Sequence, residues 1–593
     1  MVTRVLITTA LESTWPCAHE PLLFLGEWCR LFDRKNLLNN RDILVANYHW
    51  DDRTKLHQDY LFLQSLHEEA LALLTEELNT LHNVNHSNRY WRILVGPWLG
   101  YFTQMLFDRW FMLQACTTNH DISSVRIIKR KAEDNVPNDM IAFNDMYCGD
   151  SWNEMIYGQI IEEMGDLQID WIKPPKPIEA NLIPRAINHI KRAIRDVSSF
   201  LLNQLSGLGL SQEQHFFIST YLSNYLSLAL PIRLAQVPRK WISPKLFKAK
   251  FDNSRRNWRL HFNESHFKSF NSEFISLLEL MIPRHIPTIY LEGYSQLVKM
   301  TDHLPWPNNP KTIFDSNSYN SNDVFKAWAA ERIDSSPTRL LIGQHGGNYG
   351  IARWNFTEDH MIAISDLFLT WGWTDSKEKN IIPTGNFKLY GQKFKSNPNG
   401  RALLVQLTLP RYSYHMYSIP VSAGQWNSYF DDQCRFIKAL PFSLQKQILV
   451  RLSPIDFKHS QKQRWKSSFP HILLDPAKSP LSNLLKNTRL FISTYNATTY
   501  LESLYFNIPT LMFWNPLHWE MREEAKSYFD FLRQVGIYHE TPESAANQMT
   551  EIWDDLDTWW NSQNVQCARH AFLDHYSKSS PDLLESLAKA ILR

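Results

Sequence analysis

Phe491–Pro516, F-I-S-T-Y-N-A-T-T-Y-L-E-S-L-Y-F-N-I-P-T-L-M-F-W-N-P, gathers side chains suited to holding an anion. Ser493, Thr494, Asn496, Thr498 and Thr499 follow a short apolar run and open a helical pattern, which their oxygens can cap. The positive end of such a helix, with its free N–H groups, attracts a phosphate. Glu502 follows Thr498 and Thr499 at helical spacing and faces the same mouth, where a carboxylate can accept hydrogen bonds from ribose hydroxyls. Capping residues also begin ordinary helices, and Glu502 can equally complete a capping box with Thr499. A second constellation lies in R-L-L-I-G-Q-H-G-G-N-Y-G, Arg339–Gly350, where Gln344, His345, Gly346 and Gly347 follow an apolar strand. Glycine lets backbone approach a ligand closely, and the carboxyl end of a strand is where open α/β sheets hold substrates. The alternative is a structural histidine in a tight turn.

Two further groups carry charge. Arg451 and Ser453 end the strand-like Gln447–Leu452; Arg451 suits a phosphate or a buried structural ion pair. Asp145 and Asp150 sit among aromatic and amide side chains at a helix start. Either a catalytic carboxylate in an acceptor cleft or an N-cap fits there, and the N-cap is preferred. The D-D-L-D run Asp554–Asp557 reads as a solvated acidic face, so no metal site is expected. Pro238–Arg259 interleaves lysine and arginine with Trp241, Phe247, Phe251 and Trp258. It suits an anionic membrane surface or is a solvated basic loop. Nucleic acid is not expected, because 62 basic residues against 60 acidic ones give a net charge of only +2 and no recognition motif is present.

The elements that must position these groups alternate between strands and helices. Arg4–Thr9, Arg92–Gly96, Val125–Lys129, Thr288–Glu292, Lys311–Phe314, Arg339–Gly343 and Ile364–Trp373 read as strands. Phe24–Phe32, residues 52–83 and Trp98–Ala115 read as helices. Polar, turn-rich residues 384–400 mark a boundary, and a new series begins at Arg401 with strands at Arg401–Leu407, Gln447–Leu452, Ile472–Leu474, Leu490–Ser493 and Thr510–Trp514. The expected fold is α/β: an N-terminal acceptor-side domain over 1–385 with a helical insertion at about 181–260, a nucleotide-binding domain over 400–565, and a helical segment over 566–593. At 593 residues more than one core is expected. Six scattered cysteines without a C-x-x-C pair argue against a disulfide framework and fit a reducing cytoplasm. The N-terminus reads directly into a strand, without the apolar region of a signal peptide.

Q-H-G-G-N-Y-G, S-D-L-F-L-T-W-G-W and S-T-Y-N-A-T-T-Y-L-E-S-L-Y-F-N-I-P together resemble a family of bacterial transferases of surface-polysaccharide loci. The family is distantly similar to capsule Kdo transferases and teichoic-acid glycerophosphotransferases. The resemblance implies a GT-B-like pair of Rossmann-like domains facing across a cleft, and a glycosyltransferase without a cofactor, either free in the cytoplasm or peripheral at the inner face of the cytoplasmic membrane. It places the donor, with a CMP-activated ulosonic acid as one candidate, on Thr494, Asn496, Thr498, Thr499 and Glu502, with Arg451 and Ser453 nearby. Gln344, Gly346, Gly347 and His345 would face it, His345 as general base or as donor to the leaving phosphate. Asp150 is the candidate nucleophilic carboxylate. The acceptor would be a glycan or lipid-linked glycan. The alternatives are a CDP-polyol phosphotransferase and a non-catalytic membrane-surface scaffold.

Overall fold

A computed structural model describes residues 2–16, 19–39, 41–174, 215–263 and 272–593. Its strands form three sheets in which every neighbouring pair is parallel. The first holds β1 (Arg4–Ile7), β2 (Leu22–Phe24), β3 (Ile43–Val45), β4 (Ile122–Ile128) and β5 (Ile169–Ile172), in the order β3-β2-β1-β4-β5. The second runs β10-β9-β8-β7-β6, from β6 (His215–Phe217), β7 (Thr312–Asp315), β8 (Arg339–Gly343) and β9 (Leu367–Thr370) to β10 (Ile381–Pro383). The third holds β11 (Arg401–Val405), β12 (Ile448–Arg451), β13 (Leu473–Asp475), β14 (Thr488–Ser493), β15 (Thr510–Phe513) and β16 (Tyr538–His539). Its order, β13-β12-β11-β14-β15-β16, is that of a doubly wound nucleotide-binding fold. The protein is therefore α/β with parallel sheets, and its N-terminal half is built on two of them. Helices cover the strands because strands buried on both faces need apolar cover on each side.

Two expected strands are helical. Arg92–Gly96 lies inside the 32-residue helix Asn88–Asn119, and Pro97 sits within that helix rather than at its start. The helix is buried nearly all round, from Tyr90 to Trp110, so no polar face marks its period and its β-branched run imitates a strand. Close packing allows the crossing of the helix Phe356–Ile364: a Cβ on Gly100 would stand 1.9 Å from the Phe356 ring. Thr288–Glu292 contains the short helix Thr288–Leu291, set by Pro287 at its start. Phe24–Phe32 is the end of β2 followed by a 3-10 turn at Glu27–Cys29. The expected helical insertion lies outside the described residues up to 214; beyond it come β6, the helix Asn224–Arg233 and a mostly irregular run. Among the described residues no helix is long and apolar enough to cross a membrane.

The halves meet on an irregular strap, residues 406–422, that follows β11 and is mostly buried. Arg109, fully buried, donates to Asp108 at 2.8 Å and to Asn153 at 2.9 Å on its own side. Across the interface it reaches the Ser413 hydroxyl at 2.5 Å and the Ser413 carbonyl at 2.7 Å. The Met416 N–H donates to Gln104 at 2.7 Å, and Arg53 reaches Glu520 at 2.6 Å. The chain then returns: after the helix Gln563–Tyr576, the Lys578 N–H donates to the Trp371 carbonyl at 2.7 Å. Arg339 of β8 donates to the Ile591 carbonyl at 2.5 Å, in the last helix, Leu583–Leu592.

Removing one partner of a buried ion pair leaves the other charge uncompensated. Arg109→Ala should therefore cost about 3–5 kcal/mol, whereas Ser413→Ala, which leaves the Asp108 pair intact, should cost about 1–2 kcal/mol. Urea unfolding of both variants checks the ranking, and equal losses would contradict it.

Candidate functional site

The carboxyl ends of β8 and β14 converge. After β14 the loop 494–497 leads into the helix Thr498–Tyr505, whose N-cap is Ala497 and whose N-terminus no side chain caps. The polar residues expected to cap it are engaged elsewhere. Thr494, buried, donates to the Val405 carbonyl at 2.8 Å and lies 2.6 Å from the Tyr429 hydroxyl. This contact closes the crevice between β11 and β14, where the strand order reverses and doubly wound folds bind ligands. Asn496 accepts from the Tyr500 hydroxyl at 3.0 Å, and its buried Nδ2 has no partner among the described residues. Thr499 donates to the Tyr495 hydroxyl at 3.1 Å.

The helix start is met by the loop after β8. The Gly347 N–H donates to Thr498 Oγ1 at 2.9 Å, and Asn348 donates to the Asn496 carbonyl at 3.3 Å. The approach requires glycine: a Cβ on Gly347 would stand 2.2 Å from the Ala497 carbonyl oxygen, and one on Gly346 would stand 2.9 Å from Thr498 Oγ1. Further along, Ala352 pairs antiparallel with Met521. Arg522 reaches the Glu358 carboxylate, which also accepts the Gly350 N–H at 2.8 Å. Gln344 works inward rather than towards a ligand. Its carbonyl oxygen accepts from the Trp371 N–H and the Trp373 indole, both at 2.9 Å, while its amide donates to the Gly346 carbonyl at 2.8 Å. It splints the loop to the end of β9.

His345 stands half-buried at the mouth. Its Nε2 lies 3.2 Å from the Tyr349 hydroxyl, and its ring centroid is 5.6 Å from that of the exposed Tyr221. Burial, reinforced by Lys388, lowers its pKa to about 4 against a smaller opposing pull from the Ser316 backbone. With its pKa lowered, the imidazole is neutral at pH 7, and one of its ring nitrogens bears an electron pair that can accept a proton. Lys388 follows β10 and donates to Glu502 at 2.7 Å, across from the helix start. Glu502 is therefore ion-paired and completes no capping box. Lys388 lies in a turn-rich stretch that reads as linker, with no local pattern to single it out. Tyr349 lies inside the histidine loop, four residues on.

The remaining candidates are elsewhere. Arg451 turns away along the sheet edge, donating to Asp475 and the Ser479 carbonyl, both at 2.6 Å, so the structural ion pair is the observed one. Ser453 is held through its backbone, with its N–H on Gln461 at 3.0 Å. Asp150 is the first residue of the helix Asp150–Met164, with Gly149 as its N-cap, and it joins the interface between the halves. It accepts from Arg411 at 2.5 Å, Tyr412 at 2.6 Å and Lys458 at 2.8 Å. Burial pushes its pKa up, but Arg411, Lys458 and Tyr412 outweigh that and hold it at about 2. It is a buried carboxylate saturated by partners, so neither the nucleophile nor the N-cap reading fits. Among the described residues no three His, Cys, Asp or Glu side chains group as metal ligands.

Gly347→Ala should force the loop off the helix start, costing about 1–3 kcal/mol and weakening any ligand held between them. Thermal unfolding together with nucleotide titration checks this, and an unchanged variant would show that the contact is not tight in solution.

A protein-family model described as LIC12162 family transferase matches residues 4–591. No curated protein sequence matches the chain. Among solved structures, the wall teichoic acid polymerase TagF is similar at 10% identity and a TM-score of 0.27, over 68% of this chain and 97% of that one. The rhamnosyltransferase SpnG, complexed with spinosyn aglycone, is similar at 10% identity and 0.27, over 83% and 93%. LpCGTa in complex with UDP is similar at 11% identity and 0.29, over 66% and 96%.

Proposed function

The chain belongs to the LIC12162 family of transferases, and from that premise we propose a glycosyltransferase of cell-surface glycan synthesis that uses a nucleotide-activated sugar. The observation that carries this reading is the meeting of a neutral, half-buried His345 with the Lys388–Glu502 pair at an uncapped helix N-terminus. The first-turn N–H groups and the Thr498 and Thr499 hydroxyls would hold the donor phosphate. Lys388 would turn from Glu502 to the phosphate and so free the carboxylate for ribose hydroxyls. His345 would take the proton of the acceptor hydroxyl as its oxygen bonds to the anomeric carbon. The bond from that carbon to the phosphate oxygen would break, with its electron pair leaving on the nucleotide. A CMP-linked ulosonic acid is the donor we favour, because its leaving group is a monophosphate whose charge one lysine and one helix terminus can meet. The acceptor would be a glycan or lipid-linked glycan presented at the inner face of the cytoplasmic membrane.

A thermal-shift screen against CMP, CDP, UDP, GDP and ADP tests the donor. A ligand at about 100 times its Kd adds about 2.7 kcal/mol, and the shift should vanish in Glu502→Ala and Lys388→Ala. A response to CMP supports the ulosonic-acid donor, whereas a response to CDP alone moves the reading to a polyol phosphate. No response to any nucleotide overturns the site and leaves a scaffold.

His345→Ala should lower kcat by about 10²–10⁴ with nucleotide binding retained. The sign of the pH dependence follows from the lowered pKa. The free enzyme's imidazole stays neutral as pH falls past the ordinary histidine range, so kcat/KM should hold to about pH 5 and then drop as the ring protonates near 4. An acid limb at about 6.5, the ordinary histidine value, would contradict the buried position of His345.

A further inference from the structure

β6 ends at Phe217, and the chain then turns past His345 to reach the helix Asn224–Arg233. Ser219 and Tyr221 take the left-handed backbone region in this turn, at φ 46° and 55°. Glycine enters that region freely, whereas a residue with a Cβ is strained there and stays only where its surroundings impose it. The surroundings are loops at the same end of the second sheet. Ser316, after β7, donates to the Thr220 carbonyl at 2.9 Å, and Ser318 donates to the Ser219 hydroxyl at 2.8 Å. The Ser223 N–H donates to the Phe387 carbonyl at 2.9 Å, one residue before Lys388.

None of these ties uses the Tyr221 ring. Its hydroxyl accepts from Asn317 at 3.4 Å. The ring is 41% exposed, and its centroid lies 5.6 Å from that of His345, with the planes tilted by 46°. His345 does not need it as a support, because Tyr349, buried, already meets Nε2 at 3.2 Å. A strained backbone thus holds a partly bare aromatic face beside the imidazole. The π face of such a ring is negative and attracts the C–H groups that line one face of a pyranose. The carboxamide of Asn317, exposed next to it, can donate to and accept from sugar hydroxyls.

We infer that Tyr221 is the platform on which a pyranose stacks at the cleft mouth, and that this sugar is the terminal residue of the acceptor. Stacked there, the sugar presents a hydroxyl to His345, and the tilt between the two rings leaves room for it. A polyol chain has no comparable flat face and would not be held. Identifying the sugar as the acceptor rests on the glycosyl-transfer reading, in which the donor phosphate lies at Thr498, whereas the stacking itself does not.

Saturation-transfer NMR of the full chain with the methyl pyranosides of glucose, galactose and N-acetylglucosamine, and with glycerol as a ringless control, tests the inference. At least one pyranoside should take up saturation on its ring C–H groups, and glycerol should not. Tyr221→Ala should weaken that binding about fivefold or more, and Tyr221→Phe by less than about twofold. Tyr221→Gly should lose binding as Tyr221→Ala does, yet melt no lower than the parent, because glycine relieves the left-handed strain. The pyranoside should stay bound when CMP is added, since the phosphate site is separate. A parent chain that binds no pyranoside, equal uptake by glycerol, or binding that Tyr221→Ala leaves intact would overturn the inference. A clearly lower Tm for Tyr221→Gly would also overturn it, as the mark of a ring kept for packing. So would displacement of the pyranoside by CMP, which would give the ring to the nucleotide. Failure of every nucleotide to bind would remove the reaction and leave the pyranoside results standing.

Discussion

A guanidinium that water cannot reach must have all its donors met, and Arg109 meets them only when the two halves of the molecule are in one arrangement. Two of its partners, Asp108 and Asn153, belong to the N-terminal half, and the third, Ser413, belongs to the strap after β11. Sliding the halves by even an ångström or two would leave a buried charge short of a hydrogen bond, which costs far more than apolar surfaces lose in a comparable slip. Asp150 repeats the logic with opposite sign, a buried carboxylate on one half saturated by Arg411, Tyr412 and Lys458 on the other. Two oppositely charged locks on one strap make the interface discrete. The distance between the β8 loop and the Thr498–Tyr505 helix inherits that definition.

The site itself combines two kinds of fit. Gly346 and Gly347 supply steric fit, because any side chain there would occupy the space of the Ala497 backbone or the Thr498 hydroxyl. Lys388 and Glu502 supply electrostatic fit, with one positive and one negative group paired beside a helix terminus that favours anions. Partial burial, with the charge of that lysine as the lesser cause, lowers the pKa of His345.

Much of this was legible in the residues. Strands β11, β12, β14 and β15 are short apolar runs bounded by polar turns, and their positions follow from that pattern. The strand–loop–helix unit around Thr498 and the histidine loop were both visible as polar clusters at strand ends. Part of the helix Asn88–Asn119 reads as a strand, because a helix buried on every side loses the period that reveals it. Individual roles were less legible than locations. Gln344, Arg451 and Asp150 are side chains that would suit a ligand, and each is instead satisfied by a partner far away in sequence. Lys388 carries no local signal, since what makes it notable is Glu502, 114 positions on. Long-range pairing is set by the tertiary fold, and no local spacing encodes it.

The return of the chain to the second sheet bears on the order in which the molecule can be assembled. β8 receives the Ile591 carbonyl on Arg339 from 252 positions downstream, and β9 receives Lys578 on the Trp371 carbonyl. During synthesis the second sheet must therefore wait, with its central strand β8 and the end of β9 short of these contacts, while the whole third sheet emerges and folds. Domains generally form as units in the order they are made. Here the middle unit finishes last, so its uncovered face is where a nascent chain would be most exposed to chaperones or to aggregation.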